Sequence, residues 1–390
     1  MYRSLLIAWL LACWSLSGSA QAQIARLARP DSLGLSFFGT SVDIDGKWAV
    51  VGATGDDHCG VNAGSAWVYR RSGPHWELVQ RLEAADCEEG AFFGHDVTID
   101  GDRIVVSAFR TFVGRAVSNH VYVFERDDDR WNQTDRISSP DRDASGPFAA
   151  SLVLDGDQLL VTSGGDAKGD DTNGKGFLFR HQEDGWELQT TLHSPLPVTA
   201  GTLGTSAAMD GDHIAIAAST YAREKPGFVA TWVKQRDGTW EAGATLRGIQ
   251  GFFIDVAIHR DLMLIGESRS GTTGSGSARL LRWKSDAWNP EATLTPKTPY
   301  QAGAFGTRVA LGPDLALVAG FDEQLELDFN VDQVVYVFAR SDQDWTQRRV
   351  LDVGESAFGA SLALDGDTAL IGQAADGLPG QAYVATLRSP

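Results

Sequence analysis

Among the paired carboxylates of this chain, three stand in segments that differ from one repeat to the next: Asp56-Asp57, Asp170-Asp171 and Asp322-Glu323, the last followed by Glu326, Asp328 and Asp332. Clustered loop carboxylates suit two kinds of chemistry. They hold hard cations such as calcium, which takes about six to eight oxygen ligands, or they serve as the acid and base of a hydrolase. None of the three runs completes a calcium-loop pattern, and each reads equally well as a solvated loop that keeps an acidic protein soluble. Arg110, Phe112, Arg115 and Tyr221 are of the types that anchor protein or glycan ligands, and they too fall in segments that repeat nowhere else in the chain.

Motifs that would select a reaction are missing from the sequence. It contains no Gly-x-Ser-x-Gly, His-Glu-x-x-His, phosphate loop or dinucleotide fingerprint, and its eight histidines are scattered singly. We therefore read the chain as a non-enzymatic binding or adhesion module. The alternative is a glycan-directed hydrolase using Asp170, Asp171 or Asp322. No cofactor and no metal are expected, calcium in the surface loops being the alternative. With 51 acidic against 33 basic residues and a net charge of -18, a sequence-independent grip on nucleic acid or anionic lipid is disfavoured. The expected partner is a protein or carbohydrate, and the expected state a monomer.

Residues 1–22 have the layout of a secretory leader: Arg3, an apolar run from Leu5 to Leu16, then Ala20-Gln21-Ala22 as the cleavage site. Cleavage there predicts a mature domain spanning 23–390, periplasmic or secreted. Reading Leu10-Leu11-Ala12-Cys13 as a lipoprotein signal leaves a very short greasy segment before the cysteine. No later stretch approaches the roughly 20 apolar residues of a spanning helix. Once Cys13 departs, only Cys59 and Cys87 remain, and an even pair in an exported protein predicts a bridge.

The elements that must carry these loops are set out by a repeat. Anchors fall at Asp45-Gly46, Asp100-Gly101, Asp155-Gly156, Asp210-Gly211, the degenerate His259-Arg260 and Gly312-Pro313, and Asp365-Gly366. Seven positions before them stand Phe38, Phe93, Phe148, Leu203, Phe252, Phe305 and Phe358. Asp-Gly between alternating apolar runs predicts a hairpin with a two-residue Asp-Gly turn. Units one to six continue with a third run and a tryptophan-led fourth, at Trp76, Trp131, Trp186, Trp240, Trp288 and Trp345. Residues that recur in every unit are expected to pack between units rather than bind ligand.

Four-stranded units of this length bury their faces by radial packing, which predicts an all-β, seven-bladed propeller. The seventh unit stops after three strands, so Gln23 to Arg29 should supply its fourth and close the ring. Three residues after each lead position come Ser41, Asp96, Ser151, Ser206, Asp255, Arg308 and Ser361, a polar ring on the innermost strands. Asp255 and Arg308, in adjacent blades, are expected to form an ion pair. Asp96 and Asp255 lie nearly across the ring, too far apart for the roughly 5 to 9.5 Å of a glycosidase pair.

The run Phe38-Gly39-Thr40-Ser41-Val42, followed by Val51-Gly52-Ala53, resembles the FG-GAP repeat of integrin α-subunit propellers and of many exported bacterial proteins. That resemblance implies a propeller scaffold for interaction. Family members with calcium carry an extended Asp-rich loop between the first two strands of a blade. Here Asp100-Gly101-Asp102 and its equivalents replace it, so those calcium sites are not carried over.

Overall fold

Seven four-stranded antiparallel sheets, six formed by single repeat units and the seventh shared between the two ends of the chain, form a β-propeller in the computed structural model. It describes residues 24–29, 34, 36–109, 119–141, 148–164, 174–196, 201–220, 226–251, 254–270, 274–298, 304–321, 333–342, 344–374 and 379–387. Blade one comprises Phe38–Asp45, Trp48–Ala53, Ser65–Ser72 and His75–Leu82, from the innermost strand outward. The following blades begin at Phe93–Asp100, Phe148–Asp155, Gly201–Asp210, Ile254–His259, Val309–Leu311 and Phe358–Asp365.

The ring closes as expected. Ile24–Arg26 adds to Gln381–Thr386 as the fourth strand of blade seven, pairing Ile24 with Ala385 and Arg26 with Tyr383. Leu27 extends the contact by donating its N–H to the Ala382 carbonyl at 2.9 Å. The first strand of the described chain thus lies in one sheet with the last, and blade seven keeps no unpaired edge at the seam.

The hairpin turns differ from the sequence expectation by one residue. Asp45 pairs with Trp48 as the end of the strand, and the two-residue loop is Gly46-Lys47. Gly46 leads that loop at a φ of 56°, which costs glycine least. Because the aspartate sits on the strand, its carboxylate reaches the next blade. Asp45, Asp100 and Asp155 accept the N–H of Gly101, Gly156 and Gly211 at 2.7, 2.6 and 2.7 Å. Asp210 accepts from Arg260 at 2.8 Å.

The core is divided among the blade interfaces. Each of its seven hydrophobic clusters draws on two adjacent blades. At the first interface Trp48 and Val68 of blade one meet Phe93, Tyr122 and Trp131 of blade two. Trp131, 2% exposed, stands edge-on to Trp48 with ring centroids 5.6 Å apart. All six strand-leading tryptophans join such clusters, so they are packing residues. The lead residues Phe38, Phe93, Phe148, Leu203, Phe305 and Phe358 are fully buried, while Phe252 lies outside the described residues. Burying a side chain of this size contributes about 1.5–3 kcal/mol.

The glycine after the lead aromatic has a steric cause. Gly94 takes a φ of 90°, and a Cβ there would fall 2.3 Å from the Ser65 carbonyl oxygen of the preceding blade. It opens a break in strand register between Phe93 and Val97. That irregularity directs the next residues, His95 and Asp96, toward the axis.

Candidate functional site

Seven innermost strands enclose a channel of about 630 Å³. The polar ring expected from the sequence lines it: Ser41, Asp96, Ser151, Ser206, Asp255, Arg308 and Ser361 all contribute to the wall. Strand alternation brings a second set two residues further along, in which Asp43 and Thr98 stand among small apolar residues such as Ala257 and Ala363. His95 and Phe109 lie toward the second-to-third-strand loops, their rings 4.4 Å apart. Asp43, His95 and Phe109 were missed in the sequence. Asp43 was readable from period-two alternation carried one step past Ser41, whereas Phe109 follows a strand end and carries no such signal.

Much of the ring stitches neighbouring blades. Ser41 Oγ donates to the Gly94 carbonyl and Ser361 Oγ to the Gly39 carbonyl, both at 2.9 Å. Asp43 accepts from the Ile99 N–H, Asp96 from the Leu152 N–H and Asp255 from the Val309 N–H, at 2.8, 2.8 and 2.7 Å.

The expected ion pair between Asp255 and Arg308 does not form. Asp255 takes the Ser206 hydroxyl at 2.7 Å along with the Val309 N–H. Arg308 donates through Nε to the Ala360 carbonyl at 3.0 Å and through Nη1 to the Thr307 carbonyl at 2.8 Å. Local backbone groups thus hold each side chain before the other can reach it.

Enclosure changes how these groups titrate. Burial raises the Asp96 carboxyl to about 7, with further upward pushes from the charges of Asp43 and Asp255. Burial likewise raises Asp43 to about 6 against the downward pull of hydrogen bonds from Ile99, Ile44 and Thr98. His95 is lowered to about 4, first by burial and then by the Arg308 charge. At neutral pH the wall therefore mixes a neutral imidazole, a carboxyl near half-protonation and a guanidinium. Asp96 and Asp255 face one channel, and the Asp255 charge is among the causes that raise Asp96.

On the loop face, Asp56 is 5% exposed and shapes its own loop: Oδ1 accepts from the His58 N–H and Oδ2 from Ser65 Oγ at 2.6 Å. Asp57 is exposed, with Oδ1 accepting the Asn62 N–H at 2.8 Å. The expected bridge joins Cys59 to Cys87, with Cα atoms 5.7 Å apart. Around it, Gly90, Phe92 and Phe93 donate backbone N–H groups to the carbonyls of Val61, Asn62 and Ala63. Arg110, Phe112, Arg115, Asp170, Asp171, Tyr221, Asp322 and Glu323 lie outside the described residues, as does the leader over 1–22.

One serine–histidine pair occurs nearby. Ser138 Oγ lies 3.1 Å from His120 Nδ1, and Arg136 lies 3.2 Å from His120 Nε2. A guanidinium only donates, so Nε2 must accept and Nδ1 carries the proton. Burial first and the Arg136 charge second depress this histidine's pKa. With its proton toward the serine, the ring cannot act as base for that hydroxyl. Among the described residues no group of three or more His, Cys, Asp or Glu side chains is placed to hold a metal ion, and no helix is long and apolar enough to cross a membrane.

A ring of seven four-stranded blades, with glycine-dependent contacts between blades around a polar channel, defines a seven-bladed β-propeller. The FG-GAP repeat matches the chain at residues 22–69 and 76–124, from the closing strand to the third strand of blade two, so this seven-bladed β-propeller carries FG-GAP repeats in two places. No curated protein matches it.

Proposed function

We propose that this chain is an exported, monomeric binding or adhesion module that recognises a protein or glycan through the loops of one propeller face. One observation carries the reading: the residues that recur from unit to unit are engaged in turns, blade latches and inter-blade packing, whereas the loops of the opposite face are individual. Loop variation on a rigid scaffold is where recognition usually resides. The first of those loops is firmly mounted, bridged by Cys59–Cys87. That bridge, with the leader-like residues 1–22, supports an oxidising destination, periplasmic or outside the cell.

The test is to present the purified protein to glycan and surface-protein arrays and, in parallel, to chromogenic glycosides. Saturable capture without turnover, weakened by alanine at Asp57, Arg110, Phe112, Arg115 or Tyr221, is the expected result. Turnover abolished by Asp170→Asn, Asp171→Asn or Asp322→Asn would defeat the binding reading in favour of a glycan-directed hydrolase. Capture restored only by added calcium and lost on changing Asp170, Asp171 or Glu323 would place a cation in the loops.

A further inference from the structure

The channel wall carries donors and acceptors that the described residues leave unmatched. Arg308 is fixed in direction by two carbonyls, yet among the described residues no carboxylate pairs with it. Asp96 and Asp255 stand on the same ring with no cationic partner among the described residues, each held by hydrogen bonds that leave further lone pairs available. Ser151 lines the channel with a hydroxyl that bonds nothing among the described residues. Nearer the loops, His95 Nδ1 is buried and also lacks a partner. A buried polar atom without a partner, such as His95 Nδ1, is uncommon and calls for an explanation.

The unmatched set has mixed character: carboxylates to accept, a guanidinium to donate, a hydroxyl to do either, and the ring of Phe109 beside His95. Sugar hydroxyls both donate and accept, so one polyhydroxylated molecule satisfies acid and guanidinium together, while its C–H face covers an aromatic ring. The cavity volume lies within the roughly 300–1,000 Å³ of small-ligand sites. We propose that the central channel is a binding site for a neutral saccharide of one or two sugar units, held by Asp96, Asp255, Arg308 and Ser151. This rests on the reading of the chain as a binding module and names a ligand class for its axis. A dipolar ion would match the charges but bring nothing for Ser151 or Phe109.

Isothermal titration of the whole purified chain tests this with glucose, galactose, N-acetylglucosamine, maltose and cellobiose as neutral probes. Galacturonate serves as the anionic control and glycine betaine as the dipolar one. Saturable binding of at least one neutral probe is expected, weakened roughly tenfold or more by Asp96→Asn, which keeps an acceptor for the Leu152 N–H. Ser151→Leu fills the channel without removing an internal hydrogen bond, and it should abolish binding at an unchanged melting temperature.

Three outcomes overturn the proposal: no heat with any neutral probe at millimolar concentration, binding only of betaine or galacturonate, or saccharide binding indifferent to Ser151→Leu. Failure here is separable from failure of the module reading. Loop-dependent capture of a macromolecule on the arrays can persist in the Ser151→Leu protein, and its loss there would indict the loops instead.

Discussion

The Asp365 carboxylate of blade seven accepts the backbone N–H of Gly46 in blade one at 2.8 Å, across 319 residues of sequence. The same latch joins blades one to two, two to three, three to four and four to five. It is absent where His259 and Gly312 replace the aspartate in blades five and six. Recurrence of Asp-Gly therefore reflects two demands: glycine for the turn, and aspartate for the neighbouring turn.

Removing one latch should lower stability modestly, because the bond is solvent-exposed. Asp365→Ala is expected to cost about 1 kcal/mol, and Asp365→Asn, which retains an acceptor, less than half of that. Chemical denaturation of both variants checks the order. Equal losses would mean that the side chain acts by something other than its hydrogen bond.

The blades and their closure were legible because they follow from period-two alternation, recurring turns and a missing strand, all local or countable. The one-residue error in the turns arose from treating Asp-Gly as a self-contained signal. The aspartate's partner lies in the next blade, which no local pattern reveals. The Asp255–Arg308 pairing failed for a related reason: adjacency in the ring was visible, but Val309 N–H, Ser206, Ala360 and Thr307 compete for the same groups, and only coordinates show that competition. Asp43 falls on the half of the alternation opposite Val42 and Ile44, whose apolar pattern is the stronger signal.

Closure by the first strand should contribute heavily to stability. Deleting residues 24–29 exposes the edge of Gln381–Thr386 and removes Leu27, which is 3% exposed in the cluster between blades seven and one. Burial of that leucine alone is worth about 1.5–3 kcal/mol. A sharp fall in melting temperature and a gain in aggregation are expected. An unchanged melt would sink the closure argument.

The Cys59–Cys87 bridge spans a separation of 28 residues between a blade-one loop and the connection into blade two. Closing a loop of this size typically contributes about 2–4 kcal/mol. Cys59→Ser with Cys87→Ser should lower the melting temperature, and reductant should bring the native protein down to the same value without affecting the double variant. Peptide mapping that recovered two free thiols from unreduced protein would refute the bridge.

The channel carboxyls predict how stability varies with pH. Asp96 at about 7 and Asp43 at about 6 are raised from 3.8, so between those limits the native state holds protons that the unfolded chain releases. Their favourable contribution is complete below pH 3.8 and is lost as pH rises through about 6 and then about 7. His95 works in the opposite sense. Lowered to about 4 from 6.5, it binds fewer protons in the native state, so its share of stability grows with pH across that window and is constant above it. The two effects partly cancel below pH 6.5. Above that value only the carboxyls remain, with Asp96 foremost, and the melting temperature should decline from pH 6.5 to 8. Asp96→Asn keeps an acceptor for Leu152 while removing the titration, so its profile should be flatter there and should overtake the native protein toward pH 8. Parallel slopes for the two proteins across that range would show that Asp96 does not titrate in the channel as its burial requires.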